Sequence, residues 1–276
     1  MDYHAEIGDW DVKEDVDCAS RRGVSAELAG VRQPDPLSNM LLRTAVIDMA
    51  ETLRINEIFH SIQGESTFAG RPCVFVRLTG CHLRCRYCDT EYAFRAGAMK
   101  PISEIIEDVE SFSCNLVEIT GGEPLLQPGV HLLMKQFADR GKTVLLETSG
   151  CSDISTCDPR VIRIVDFKTP SSGETGRNIW KNIDYLAPCD EVKFVIGDRA
   201  DFDWAREVVT KHQLHAKVHA ILFSPVYVQE AGVEIRGMKG LEARLLAEWL
   251  LEDSIPKARM QLQMHKFIWE PSRRGV

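Results

Sequence analysis

The sequence has no apolar run near the roughly 18 residues that a membrane-spanning helix needs. Its first residues show no basic stretch leading into an apolar one, so no signal peptide is expected and a cytoplasmic location is. Positive charge is not in excess. The formal net charge is −8 over 276 residues, which argues against a general nucleic-acid binder. Nine cysteines are too few in this length for a disulfide scaffold. No internal repeat or low-complexity tract is present, which excludes a repeat array. What remains is an ordinary folded composition, 44% hydrophobic and 27% charged, at a length suited to one large α/β unit.

Residues 1–48 differ from the rest. They mix acidic residues with Pro34 and Pro36 and sustain no periodicity. They are expected to be poorly ordered or loosely attached, with the compact unit starting near Met49 and running to residue 276. Met49 itself would make a natural start. From there strand-like and helix-like segments alternate. Strands are expected at 53–59, 73–79, 115–120, 143–148, 161–167, 191–196, 217–223 and 259–267. Helices are expected around Ile102–Phe112, where Ile102, Ile105, Ile106, Val109 and Phe112 form one apolar face, and at 129–139, 201–212 and 240–252. Strands separated by helices predict βαβ units with a parallel sheet inside and helices outside. Polar, Gly- or Pro-containing segments follow four strands: 121–124, 147–150, 168–170 and 224–225. In parallel α/β folds such segments share one rim and build one site there.

The strongest chemical signal is Cys81, Cys85 and Cys88, spaced C-x3-C-x2-C in a single loop after the strand at 73–79. Three thiolates this close can each hold one iron of a cubane and leave the fourth iron open. The competing reading is a zinc site. Zinc usually takes four ligands with a second pair further along, and no later Cys-x2-Cys or His-x3-His pair exists. His82 adjoins Cys81 and is poorly placed to help. The other cysteines (Cys18, Cys73, Cys114, Cys151, Cys157, Cys189) have no metal-site spacing and are expected to be small, half-buried thiols.

With Tyr87 just before the last cysteine, this loop resembles the signature of the radical SAM (S-adenosylmethionine) superfamily. Further motifs resemble one branch, the 7-carboxy-7-deazaguanine synthases, from about Ile55 to Pro271. They are the opening loop Phe59 to Ser66, the stretch Gly70 to Leu78, Cys88-Asp89-Thr90, Gly121-Gly122-Glu123-Pro124, and Met264-His265-Lys266 before Pro271. The resemblance implies a partial, TIM-like barrel of parallel strands with outer helices. It implies a 4Fe-4S cluster on Cys81, Cys85 and Cys88, with SAM on the open iron cleaved to a 5′-deoxyadenosyl radical. The implied reaction contracts 6-carboxy-5,6,7,8-tetrahydropterin to 7-carboxy-7-deazaguanine with loss of ammonia, a step toward queuosine. SAM is regenerated and Mg²⁺ supports turnover.

The resemblance also implies roles for residues. Tyr87, Cys88, Asp89, Gly122 and Glu123 would surround SAM, as would Ser149, Lys168 and Ser224 from later strand ends. Thr90, an oxygen donor of the type Mg²⁺ prefers, would be its protein ligand. Ile62, Gln63 and Gly64 would offer backbone and amide groups to the pterin edge. Arg77, on the opposite strand face from Val76 and Leu78, could bind the substrate carboxylate bidentately. Thr120, His265 and Pro271 complete the implied substrate set, with His265 and Gln263 expected on one face of a last strand. Two departures from the family stand out. Ser66 occupies a position that is Gly in some members, and Ser272–Val276 follow a proline that ends the chain in others. The implied partners are a reducing protein such as flavodoxin or ferredoxin and a second copy of the chain. Two rival readings are an activase that installs a glycyl radical on a partner protein, and a non-catalytic metal-binding module. In an activase the Gln63 loop and Arg77 would have no clear task, and a non-catalytic module predicts no SAM cleavage after cluster reconstitution and reduction.

Overall fold

The computed structural model describes residues 52–276. The expectation for residues 1–48 lies outside them, as does Cys18. Nine strands form one sheet: β1 (Thr52–Ile62), β2 (Pro72–Leu78), β3 (Ala98–Pro101), β4 (Leu116–Gly121), β5 (Thr143–Ser149), β6 (Ile162–Asp166), β7 (Glu191–Ile196), β8 (Ala220–Pro225) and β9 (Ala258–Met260). Their order is β3-β1-β2-β4-β5-β6-β7-β8-β9. From β2 to β9 every pairing is parallel. The ends do not pair with each other, so the sheet is an incomplete barrel.

Among the described residues lie five α-helices: α1 (Ile102–Glu110), α2 (Val130–Asp139), α3 (Arg199–His212), α4 (Ala243–Asp253) and the short α5 (His265–Ile268). The expected apolar face of α1 is buried through Ile102, Ile105, Ile106 and Val109. Phe112 falls beyond the helix and is exposed. Asp198 caps α3 by accepting from the Asp201 backbone N–H at 2.9 Å, which satisfies one of the otherwise orphan donors there.

Three expectations are corrected. The sheet is not wholly parallel: β1 runs antiparallel to β2, and β3 antiparallel to β1. Residues 63–71 are too few to cross over between parallel neighbours, which takes a dozen or more, so β1 must return as a hairpin. β3 itself was not expected. Its four residues carry no pattern, and it exists only because β1 offers an edge. The last strand stops at Met260 instead of continuing to residue 267. Gln261 and Gln263 donate instead to Glu65, and the Met264 N–H donates to the Gly64 carbonyl, so the chain leaves the sheet to bind the loop after β1. Gln263 and His265 therefore share no strand face. Of the outlying cysteines, Cys73, Cys114, Cys151 and Cys157 are free thiols. Cys189 is not among them.

The strands sort their side chains by the two-residue period. One face packs against the helices and forms the main core, with Val74, Val76 and Leu78 of β2, Val117 and Ile119 of β4, and Val192, Phe194 and Ile196 of β7. The inward face changes along each strand. Near the N-terminal ends it is apolar, and Phe75, Leu116, Leu145, Ile162, Ile164 and Leu222 form a floor. Toward the C-terminal ends the same face turns polar: Arg77, Glu118, Glu147, Asp166, Lys193 and Ser224. A dry floor beneath a polar layer places the site at the C-terminal rim.

Candidate active site

A cavity of about 770 Å³ opens on this rim. All four strand-end segments reach it: Gly121 and Gly122, Glu147 to Ser149, Lys168, and Ser224 with Pro225. Cys81, Cys85 and Cys88 line it as well. Their loop is pinned by the backbone: Gly80 N–H donates to Ala93 O at 2.8 Å, and Arg84 donates to the carbonyls of Cys81 and Leu83. Gly122 has a structural task here. A Cβ on it would lie 2.3 Å from Gly80 O and 2.8 Å from the Cys81 Cβ, so only glycine lets the β4 turn meet the cysteine loop.

The donor set fits an iron–sulfur cubane. The three cysteines sit together in an apolar patch with Leu83 and Tyr87. Among the described residues, no three or more His, Cys, Asp or Glu side chains converge as ligands of one metal ion would. A cubane asks for less convergence, because each thiolate holds a different iron. Burial pushes the Cys85 thiol up to about 11 and Cys88 to about 12, and raises Cys81. Bare, these thiols keep their protons, so metal binding must displace them.

Glu123 is placed differently from the other expected residues. It is fully buried and absent from the cavity wall. Its carboxylate accepts from Thr148 Oγ1 (2.7 Å), Ser149 N (2.8 Å), Ser149 Oγ (2.6 Å) and Leu125 N (3.0 Å). Four bonds use its acceptor sites, so it holds the β5 end in place and has nothing left for a ligand. Tyr87, Asp89, Ser149, Lys168 and Ser224 do face the cavity. Lys168 Nζ lies 2.7 Å from Asp166 Oδ2. Burial opposes its charge, yet Asp166 outweighs this and holds the ammonium well above its ordinary range. The other Asp166 oxygen is buried without a partner. Thr90 Oγ1 donates to Asp89 Oδ1 at 3.2 Å. Asp89 in turn meets Lys266 at 2.7 Å and Gln263 at 3.0 Å. Burial works against its charge, but Lys266 and Gln263 hold the carboxyl well below the usual range.

The substrate side has two poles. At one, Arg77 Nε lies 2.8 Å from Glu57 Oε1, which also accepts from the Tyr92 hydroxyl at 2.8 Å. At the other, Glu118, Glu147 and Glu65 gather around Lys193. Lys193 pairs with Glu147 and, at 3.0 Å, with Glu65. Burial, Glu147 and Glu65 push the Glu118 carboxyl well above its ordinary range, toward the protonated form. Burial would raise Glu147 as well, but the Lys193 ammonium wins and lowers it. Thr120 Oγ1 donates to Glu147 at 3.3 Å.

Ile62, Gln63, Gly64, His265 and Pro271 all line the cavity. Gln63 is more committed than its sequence suggests. Its amide oxygen accepts from Glu65 N at 3.0 Å, its amide nitrogen donates to Glu118, and its backbone pairs with Gly70 and Arg71. It fixes the loop while lining the cavity. Gly64 lies under His265, whose Nδ1 would be 2.6 Å from a Cβ there. Ser66 adopts φ +62°, the left-handed region that favours glycine. It is held by its N–H to Gln261 Oε1 at 2.7 Å and by Phe68 N–H to its hydroxyl at 3.1 Å. Glu57, Glu118, Asp166 and Lys193 were not expected at the site. For Glu118, Asp166 and Lys193 the signal was readable: each is a charge between two apolar neighbours, which needs a buried partner or a cavity.

The radical SAM superfamily profile matches residues 75–165. The 7-carboxy-7-deazaguanine synthase of Chlorobaculum tepidum is 48% identical over 81% of this chain and 97% of its own length. That of Koribacter versatilis is 45% identical over 81% of this chain and its whole length. Among solved structures, QueE from Escherichia coli superposes with a TM-score of 0.62 at 22% identity, covering 78% of this chain and 95% of the other, a likeness of fold. The chain belongs to the radical SAM superfamily and, within it, to the 7-carboxy-7-deazaguanine synthase family.

Proposed function

We propose that the chain contracts 6-carboxy-5,6,7,8-tetrahydropterin to 7-carboxy-7-deazaguanine with release of ammonia. The observation that carries this reading is the two-pole cavity beside three cysteines. A guanidinium at one pole suits a carboxylate, and carboxylates at the other suit the N–H-rich pyrimidine edge of a pterin.

When bound, the cluster and SAM supply the hydrogen-atom abstraction that starts the reaction. The chain's own residues do the rest. Cys81, Cys85 and Cys88 would hold the cluster in its apolar patch. Lys168, the free Asp166 oxygen, Ser149 and Ser224 offer donors and acceptors to SAM, with Tyr87 and Asp89 beside them. Glu123 keeps Ser149 in position. Arg77 receives the substrate carboxylate, and His265, seated on Gly64, faces the same space with Pro271. Glu118 lies on the cavity wall with its carboxyl pushed toward the protonated form. Thr90 would contribute an oxygen to Mg²⁺. The reading includes a flavodoxin- or ferredoxin-type reductant, a homodimer and a cytoplasmic setting. No helix among the described residues is long and apolar enough to cross a membrane.

The test is anaerobic. The protein is reconstituted with iron and sulfide, reduced, and given SAM, Mg²⁺ and carboxytetrahydropterin. The deazaguanine product should accumulate by mass and absorbance while SAM is not consumed. An intact cluster that cleaves SAM without forming this product would defeat the reading.

A further inference from the structure

The Arg77 pole carries less positive charge than an anion needs. Arg77 is already paired to Glu57 at 2.8 Å, so the two together are close to neutral. A carboxylate docking there loses water and also meets the Glu57 charge, a cost that one compensated guanidinium offsets poorly. Glu57 is fixed in place, because the Tyr92 hydroxyl donates to the same oxygen.

A second guanidinium reaches this pole from beyond Pro271. The central carbon of the Arg274 guanidinium lies 4.0 Å from the centre of the Tyr92 ring. That of Arg77 lies 5.9 Å from the same centre. Their separation cannot exceed the sum of these two distances. Arg274 lines the cavity, and it forms no ion pair with any described residue. Stacking on a tyrosine sets the plane of a guanidinium and leaves its N–H edge open. With Arg274 the pole gains the net positive charge that Arg77 and Glu57 lack between them. The opposite pole, with the Glu65 and Glu147 carboxylates around one ammonium, turns a carboxylate away.

We propose that Arg274 is a substrate-binding residue that receives the substrate carboxylate together with Arg77. The proposal rests on the reading of the substrate as a carboxylated pterin. It makes the segment after Pro271 part of the substrate site and a determinant of selectivity for the acid over its decarboxylated analogue.

Pterin-6-carboxylate and unsubstituted pterin, both fluorescent, are the probes. Each is titrated into the reconstituted full-length protein with SAM present. Arg274→Ala should weaken pterin-6-carboxylate about tenfold, as expected for losing a charge-assisted contact, and leave pterin unchanged. Arg274→Lys should restore part of the loss, since an ammonium keeps the charge but not the planar fork. In turnover, KM should rise more than kcat falls. Arg274 is exposed, so the unfolding midpoint should not move. Equal weakening of both probes, or no weakening of either, would overturn the role of Arg274 alone. If wild-type protein binds neither probe, the functional reading falls and this proposal with it.

Discussion

Charges placed inside apolar strands decide the chemistry of this rim. Glu118 sits between Val117 and Ile119, and Lys193 between Val192 and Phe194, all of them buried. An isolated buried charge costs several kcal/mol, so each must find a partner or give up its ionisation. Lys193 finds Glu147 and Glu65, whereas the Glu118 carboxyl is pushed well above its ordinary range and accepts from Gln63. The same logic separates the tasks of single residues. Replacing Cys81, Cys85 or Cys88 by Ala should abolish SAM cleavage, with iron content and reductive cleavage of SAM as the measures. Replacing Arg77 by Met should leave iron content and SAM cleavage in place and raise KM for the pterin tenfold or more, the loss expected of a charge-assisted pair. The cysteine triplet was legible because local spacing alone makes it a metal loop. The packing of Glu123 was not legible, because sequence says that a carboxylate is present but not that four donors already occupy it.

Between elements, two tethers shape the mouth of the cavity. The loop after β1 is zipped to the segment after β9 through Gln261, Gln263 and Met264, which spans the gap that strand pairing leaves open. The loop Val226–Gly240 is closed by Leu241 N–H to Val226 O at 2.9 Å and is tied to the cysteine loop. There Glu234 meets Arg95 at 2.6 Å and Arg84 at 2.8 Å, and Glu91 accepts from the Val233 and Glu234 amides. Hydrogen bonds from Arg95 and Arg84 lower the Glu234 carboxyl to about 2. The folded value lies below the unfolded one near 4.3, so this tether is complete above about pH 4.3 and is lost as pH falls toward about 2. Glu234→Gln should raise amide exchange across 226–240 at pH 7, and the difference from wild type should shrink as pH falls through about 2. Equal exchange at pH 7 would show that the tether does not hold the loop. Neither tether was legible. The β9 segment reads as strand by its own propensity, and only the Glu65 loop, far away in sequence, draws it off the sheet.

For the molecule as a whole, the described fold begins at Thr52 and its core at Leu53. We propose that the functional unit starts at Met49. A chain beginning there should unfold at the same temperature as the full chain and retain its activity. Loss of either would show that residues 1–48 contribute. By itself the sequence determined the alternation of strands and helices, the cysteine loop and the strand ends that carry the site. All of these rest on local spacing and on periods of 2 and 3.6 residues, which neighbours along the chain can express. Only the tertiary structure decided that β1 returns antiparallel, that Gly122 must be bare to meet the cysteine loop, and that Glu123 faces inward while Arg274 joins the cavity. These depend on which distant groups arrive at the same place, and burial and charge compensation choose that only once the chain has closed on itself.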